Sequence, residues 1–225
     1  MDRSGAAKIK AVILDYGEVL SHPPTTDEWG RMASLFHIDQ DQFRPLWDRN
    51  RLQYDRGDLS LEAYWAKLAE DAGTKLEPEQ LKKLSQWDVE MWGHINPTML
   101  EWLKQMQSSA IKTGLLSNMP VDMIRHVRQQ FAWLNDFDHQ TFSAEVGLVK
   151  PDRAIYRHSL DSLGVQASEA LFVDDRAQNI EGARAVGMFA IQFRSTTQLR
   201  DDLGKLGFPV LPVDSTASSS VSQAR

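Results

Sequence analysis

The sequence predicts an α/β fold with a parallel sheet and an inserted block of helices. Three observations predict it. From residue 96 onward, short apolar runs alternate with segments of helical spacing, the pattern of parallel strands joined by right-handed crossovers. From Thr26 to Trp92 the apolar spacing is helical throughout, with no strand-like run. Ahead of that block stands one isolated apolar run, residues 9–14, closed by Asp15-Tyr16-Gly17. It reads as a buried first strand, and open α/β sheets place ligands at the carboxyl ends of such strands.

In order, residues 1–8 are a polar lead-in and 9–14 the first strand. Ser21-His22-Pro23-Pro24 breaks regular structure and reads as a hinge. In the helical block, Trp29, Met32, Ala33 and Phe36 share one face, and Leu61, Tyr64, Trp65 and Leu68 another. Gly73 closes the second of these helices, and Glu77-Pro78 opens one that carries Leu81, Leu84 and Met91. With a helix in Phe43–Asp55, expected to start near Pro45, the block holds about four helices, a small bundle. Five of the seven tryptophans fall in it. Tryptophans at this spacing read as bundle core, and Trp47, Arg49, Arg51, Tyr54 and Arg56 are assigned no site.

Asn96-Pro97 then starts a helix over 98–107. A strand (111–116), a helix opened by Pro120, a short strand near 140–142 and a helix over 153–163 follow. A strand at 170–173, a helix at 177–186 closed by Gly187 and a last strand at 189–193 complete the alternation. Ser195 and Gln198 form a capping box for a final helix ending near Gly207. The predicted division is a core of residues 1–20 and 96–212, a helical block of 21–95, and a flexible tail of 213–225.

The chain has 225 residues, 42% hydrophobic and 25% charged, a net charge of −6 and a pI near 5.5. An acidic chain argues against nucleic acid as a partner. No apolar run spans a bilayer, and no signal peptide is expected at the start. With no cysteine, disulfides, thiolate metal sites and thiol nucleophiles are excluded; a cytoplasmic location is expected.

Four segments place polar groups after apolar runs: Asp15-Tyr16-Gly17-Glu18-Val19-Leu20, Leu116-Ser117-Asn118, Val149-Lys150-Pro151 and Phe172-Val173-Asp174-Asp175, the last followed by Asn179. In order and rough spacing they resemble the four motifs of the haloacid dehalogenase superfamily. The inserted block resembles the C1 cap of its subfamily I, a four-helix bundle, and the resemblance covers about residues 8–210. It implies a Rossmann-like three-layer core and a Mg²⁺-dependent phosphatase acting on a small phosphorylated metabolite, with oligomeric state open. Asp15 would be the nucleophile and form an aspartyl-phosphate. Ser117 would hydrogen-bond a phosphoryl oxygen, and Asn118 would do the same or cap the next helix. Lys150 would neutralise the phosphate and nucleophile. Adjacent Asp174 and Asp175 repel each other unless a cation intervenes, and hard oxygen ligands suit Mg²⁺; as plain helix-start acids they would serve the dipole instead. The resemblance makes Asp175 the direct ligand beside Asp15, Asp174 a second or outer one, and Asn179 a support.

Gly17 departs from the family, whose phosphatases usually carry there the Asp that protonates the leaving alcohol. Its carbonyl can still serve a metal, but the acid is missing or comes from elsewhere, at a cost of about 10²–10⁴ in rate for a poor leaving group. Glu18 and His22 are the nearby substitutes; their plain readings are a turn residue and a loop residue. Members with Gly here resemble sugar-1-phosphate phosphatases, whose anomeric oxygen leaves easily. The rival readings are a 2-haloacid dehalogenase, which needs no metal and lacks the acid pair, and a weakened phosphate-binding protein.

Overall fold

The computed structural model describes residues 9–208, so the predicted tail at 213–225 lies outside the described residues. Strands β1 (Ala11–Leu14), β2 (Lys112–Ser117), β3 (His139–Phe142), β4 (Ala170–Asp174) and β5 (Phe189–Gln192) form one parallel sheet in the order β3-β2-β1-β4-β5. The order reverses between β1 and β4, so the carboxyl ends of these two strands flank the switch point where such sheets bind ligands. Alternate residues of β1 feed opposite faces: Val12 and Leu14 pack with Trp102 and Leu103, and Ala11 and Ile13 pack with Ile155 and Tyr156. Burial on both faces is why β1 and β4 read as continuous apolar runs.

Helices α1 (Thr26–Ser34), α2 (Gln40–Arg49), α3 (Arg51–Arg56), α4 (Leu61–Asp71) and α5 (Pro78–Glu90) form the helical block around its own core of Trp29, Phe36, Phe43, Tyr64 and Trp65. The block has five helices rather than about four. Asp39 and Gln42 close a capping box that starts α2 ahead of Pro45, leaving the proline inside the helix. Asn50, at φ −110° and ψ 7°, then separates α2 from α3. Gly57, at φ +86°, ends α3. The chain leaves the core and returns to it side by side: Asn96 N–H donates to Leu20 C=O at 2.8 Å, His22 N–H to His94 C=O at 2.6 Å, and Ser21 bridges Ile95.

The remaining helices are α6 (Pro97–Gln107), α7 (Val121–Gln130), α8 (Ser143–Val146), α9 (Arg153–Leu163), α10 (Ala177–Ala185) and α11 (Thr196–Lys205). Pro120 stands at the N-cap of α7 rather than inside it. At α11 Ser195 caps Gln198 N–H, but the Gln198 side chain accepts from Arg194 N–H, so only half the predicted box forms. The one-turn helix α8 was not predicted; four residues carry too little periodicity to announce it. Among the described residues no helix is long and apolar enough to cross a membrane.

Inside the helical block lies a charge network. Arg51, 8% exposed, donates from Nε to Asp55 at 2.8 Å and from Nη1 to both Asp88 oxygens at 3.1 Å; the Trp47 indole N–H also donates to Asp88, at 2.9 Å. Burial lowers the Arg51 pKa but Asp55 and Asp88 outweigh it, so the net shift is upward. Arg51→Ala leaves two carboxylates buried without their cation, and a loss of about 3–5 kcal/mol is expected, read from urea unfolding. An unchanged midpoint would show that the network carries no stability.

Burial pushes Asp55 up to about 6 against the pull of Arg51. The folded state thus holds this proton more tightly than the unfolded chain, where Asp ionises near about 3.9. Its contribution is full below about pH 4 and is lost as pH rises through about 6. Asp55→Asn is expected to flatten that decline; a melting profile from about pH 4 to 7 that keeps its slope in the variant contradicts this assignment.

Candidate active site

Asp15 follows β1 and Asp174 ends β4, on neighbouring strands paired in register from Ala11↔Ala170 to Leu14↔Val173. Register therefore brings the two carboxylates to one edge, and chain adjacency adds Asp175. One carboxylate oxygen from each of Asp15, Asp174 and Asp175 lies within 4.8 Å of the others. The Lys150 ammonium, 1% exposed, sits 2.8 Å from Asp15 Oδ1 and 2.6 Å from Asp174 Oδ2. Burial depresses the lysine, but Asp15 and Asp174 more than reverse this and raise it.

The carboxylates differ in their partners. Asp174, fully buried, accepts from Arg176 N–H at 2.8 Å, from Asn179 Nδ2 at 2.9 and 3.0 Å and from Lys150. Asp15 Oδ1 accepts from Tyr16 N–H at 2.7 Å and from Lys150, which leaves Oδ2 for chemistry. Asp175 is half-buried and lines the cavity. Burial pushes Asp15 up to about 7, with Asp174 and Asp175 adding to the rise against Lys150. Burial, Asp174 and Glu18 push Asp175 up to about 6. Three carboxylates against one buried ammonium leave surplus negative charge. Asn179 is 2% exposed, and its Oδ1 has no hydrogen-bond partner among the described residues. An all-oxygen donor set beside an orphaned acceptor suits a hydrated Mg²⁺, whose waters donate hydrogen bonds.

A cavity of about 490 Å³ opens beside this cluster, between the sheet and the helical block. Asp15, Gly17, Glu18, Ser117, Asn118, Lys150, Asp175 and Asn179 all line it. Asp174 does not, lying behind the others. His22 is exposed, away from the cavity lining, with its backbone paired to His94; its expected part as a substitute acid lacks the proximity it needs. Asn118 is not a helix cap. Its Oδ1 accepts from Lys150 N–H at 2.8 Å and its Nδ2 donates to Lys150 C=O at 3.0 Å, so its side chain fixes the lysine backbone. Glu18 lines the cavity at φ +57°, inside the tight turn Tyr16–Leu20.

Gly17 has a physical partner in Trp92. A Cβ at position 17 would stand 3.3 Å from the Trp92 ring, whose chain is fixed by the Tyr16 hydroxyl donating to Trp92 C=O at 3.0 Å. A side chain at 17 would crowd the indole unless the ring shifted by a few tenths of an ångström. Sequence reasoning missed this pairing, and it also left Trp29, Arg44, Trp47, Arg51, Asp55 and Arg176 unassigned, all of which line the cavity. Periodicity marked the tryptophans as core, and core they are; nothing in a single chain tells which buried ring also faces a cavity.

The family model for haloacid dehalogenase-like hydrolases matches residues 9–187. The chain belongs to this family. Among curated relatives, the sesquiterpene phosphatase astK of Aspergillus oryzae is 26% identical over 185 residues, covering 81% of this chain and 88% of its own. A phosphatase of Mycobacterium tuberculosis is 34% identical over 110 residues, 47% of this chain and 51% of its own. Among solved structures, HAD family enzyme bt-2542 of Bacteroides thetaiotaomicron, in complex with magnesium and inorganic phosphate, aligns with TM-score 0.66 at 20% identity, covering 83% of this chain and 94% of its own. The L-2-haloacid dehalogenase of Xanthobacter autotrophicus aligns with TM-score 0.64 at 20% identity, covering 88% and 83%. The structural likenesses speak to the fold alone. This chain is a hydrolase of the family, with phosphatase homologues.

Gly182 in α10 sets how closely that helix approaches Lys150-Pro151. A Cβ there would stand 2.7 Å from the Pro151 carbonyl oxygen and 2.9 Å from the Tyr156 hydroxyl. Gly182→Ala is expected to lower stability by about 1–3 kcal/mol through overpacking, measured by denaturant unfolding. Stability equal to the parent's would mean that the helix moves aside freely.

Proposed function

We propose that this hydrolase is a Mg²⁺-dependent phosphatase that cleaves a small phosphate monoester through an aspartyl-phosphate. The observation that carries the reading is the buried Lys150 ammonium spanning Asp15 and Asp174, with Asp175 completing the cluster. Asp15 Oδ2 attacks phosphorus in line, and the P–O bond to the leaving group breaks. Lys150 Nζ and the Ser117 hydroxyl stabilise charge on the transferring phosphoryl oxygens, while Tyr16 N–H and Lys150 hold Oδ1 and so aim the carboxylate. Water then attacks the phosphorus, releasing inorganic phosphate and restoring Asp15. Asp15, Asp175 and the Gly17 carbonyl would hold Mg²⁺, with Asp174 and Asn179 behind them. When bound, it supplies positive charge against the carboxylates and the phosphoryl group. Helices α1–α5 act as a cap that excludes bulk water from the cavity. The absence of cysteine suits a cytoplasmic setting. The acid pair Asp174-Asp175 favours phosphoryl transfer over dehalogenation.

Phosphate release from a panel of sugar, alkyl and aryl phosphates, with and without Mg²⁺, tests the reading. Turnover is expected to require Mg²⁺, and Asp15→Asn to lower it by about 10³-fold or more with the fold intact. Turnover that survives EDTA, together with halide release from 2-haloacids, would replace this reading with dehalogenation.

A further inference from the structure

The cavity has a phosphoryl end and a leaving-group end, and the second is chemically distinctive. Its wall is built from Trp29, Pro45, Trp47, Trp92, Met119 and Met123. The arginines beside them already have partners, and Glu18 also lines the cavity. Arg51 is held by Asp55 and Asp88, and the Trp47 indole N–H points at Asp88. Arg44 lies 5.0 Å over the Trp29 ring, and at the exposed rim Arg176 meets Asp48 at 3.4 Å. The Asn118 amide is engaged on both sides by the Lys150 backbone. A sugar carries several hydroxyls, and on this wall they would leave water to meet mainly ring and thioether surfaces. A flat apolar group loses nothing there and gains indole faces to stack on.

Position 17 points the same way. A Cβ at Gly17, the root of a leaving-group acid there, would crowd the Trp92 ring at 3.3 Å. With no acid at 17, and with Glu18 not delivering a proton, the ester oxygen would depart as an anion beside an indole. An oxygen that leaves unprotonated must be a stable anion: a phenolic hydroxyl ionises near about 10, and aliphatic alcohols ionise several units higher.

Resting on the phosphatase reading, we propose that the substrate is the phosphate monoester of a planar, apolar, acidic hydroxyl, a phenol-type aryl alcohol, and not of a sugar or simple alkyl alcohol. In the first step the Asp15 Oδ2–P bond forms and the P–O(aryl) bond breaks, with the electron pair leaving on the aryl oxygen. In the second, water oxygen bonds phosphorus, the aspartyl–phosphorus bond breaks, and one water proton passes to solvent, where the aryloxide is reprotonated according to its own pKa.

The test uses the full chain with saturating Mg²⁺. The specificity constant kcat/KM is measured for substituted phenyl and naphthyl phosphates spanning leaving-group pKa values of about 7 to 10, for alkyl phosphates, and for sugar phosphates including glucose 1-phosphate. We expect log kcat/KM to fall steeply with leaving-group pKa, and the slope to stay where it is in Glu18→Gln. We expect aryl esters to exceed sugar and alkyl esters by about 100-fold or more, the scale of a missing general acid. A Gly17→Asp, Trp92→Gly pair, which restores both the acid and its space, is expected to flatten the slope and raise alkyl phosphate turnover at least about tenfold. A flat slope in the parent enzyme would overturn the proposal, because an acid would then be acting. So would sugar phosphates turned over as well as aryl ones. Either result leaves the phosphatase reading standing. No phosphate released from any ester would remove both.

Discussion

The structure depends on one buried ammonium. Lys150 lies almost without solvent between the carboxylates that follow β1 and end β4. An isolated charge at such a site costs far more than folding can offset, and the lysine stays charged because two acids face it. Its surroundings serve that placement. Asn118 clamps its backbone from the end of β2, and Gly182 lets α10 close on Pro151. The Tyr156 hydroxyl donates to Asn179 C=O, and the Asn179 amide donates to Asp174. The segments that follow β1 and β2 and the end of β4 thus meet at one residue, Lys150.

The helical block solves a second problem of charge. It presents Arg51 and Asp55 to the cavity but binds them to each other, and Arg51 also to Asp88. Beside them the block's Trp29, Pro45 and Trp47 face the cavity, and Met119 and Met123 of the core line it too. Ser143 Oγ donates to Asp55 C=O and accepts from Met119 N–H, and the Tyr16 hydroxyl donates to Trp92 C=O, so block and core are joined by hydrogen bonds on either side of the cavity. The Tyr16 contact fixes the indole that stands over Gly17. A vacancy in the sequence, glycine where an acid is usual, is thus a crowded position in the fold.

Much of this was legible in one chain. The apolar runs of β1 and β4 and the span of α9 follow from periodicity and from the glycine that closes α9, because those signals are local. The same locality placed Asp15, Asp174 and Asp175 at strand ends. Local rules failed where two of them competed or where the partner was distant. Pro45 sits inside α2 because the Asp39–Gln42 box, a stronger start signal, lies upstream. Asn118 had a plausible cap to make, yet its amide found the Lys150 backbone, which becomes its neighbour only when the sheet forms. Glu18 and His22 looked equivalent by distance along the chain; the turn at Tyr16–Leu20 turns one into the cavity lining and sends the other to the surface.

By itself, then, the sequence determined the alternation of strands and helices, the absence of thiol chemistry, and the acids that stand at the strand ends, since each is written in short-range pattern and side-chain type. Only the tertiary structure decided which carboxylate is saturated and which is open, which tryptophans face the cavity, and what stands over Gly17. Those depend on strand register and on packing between segments remote in the chain, and no local pattern encodes a contact whose two halves meet only after folding.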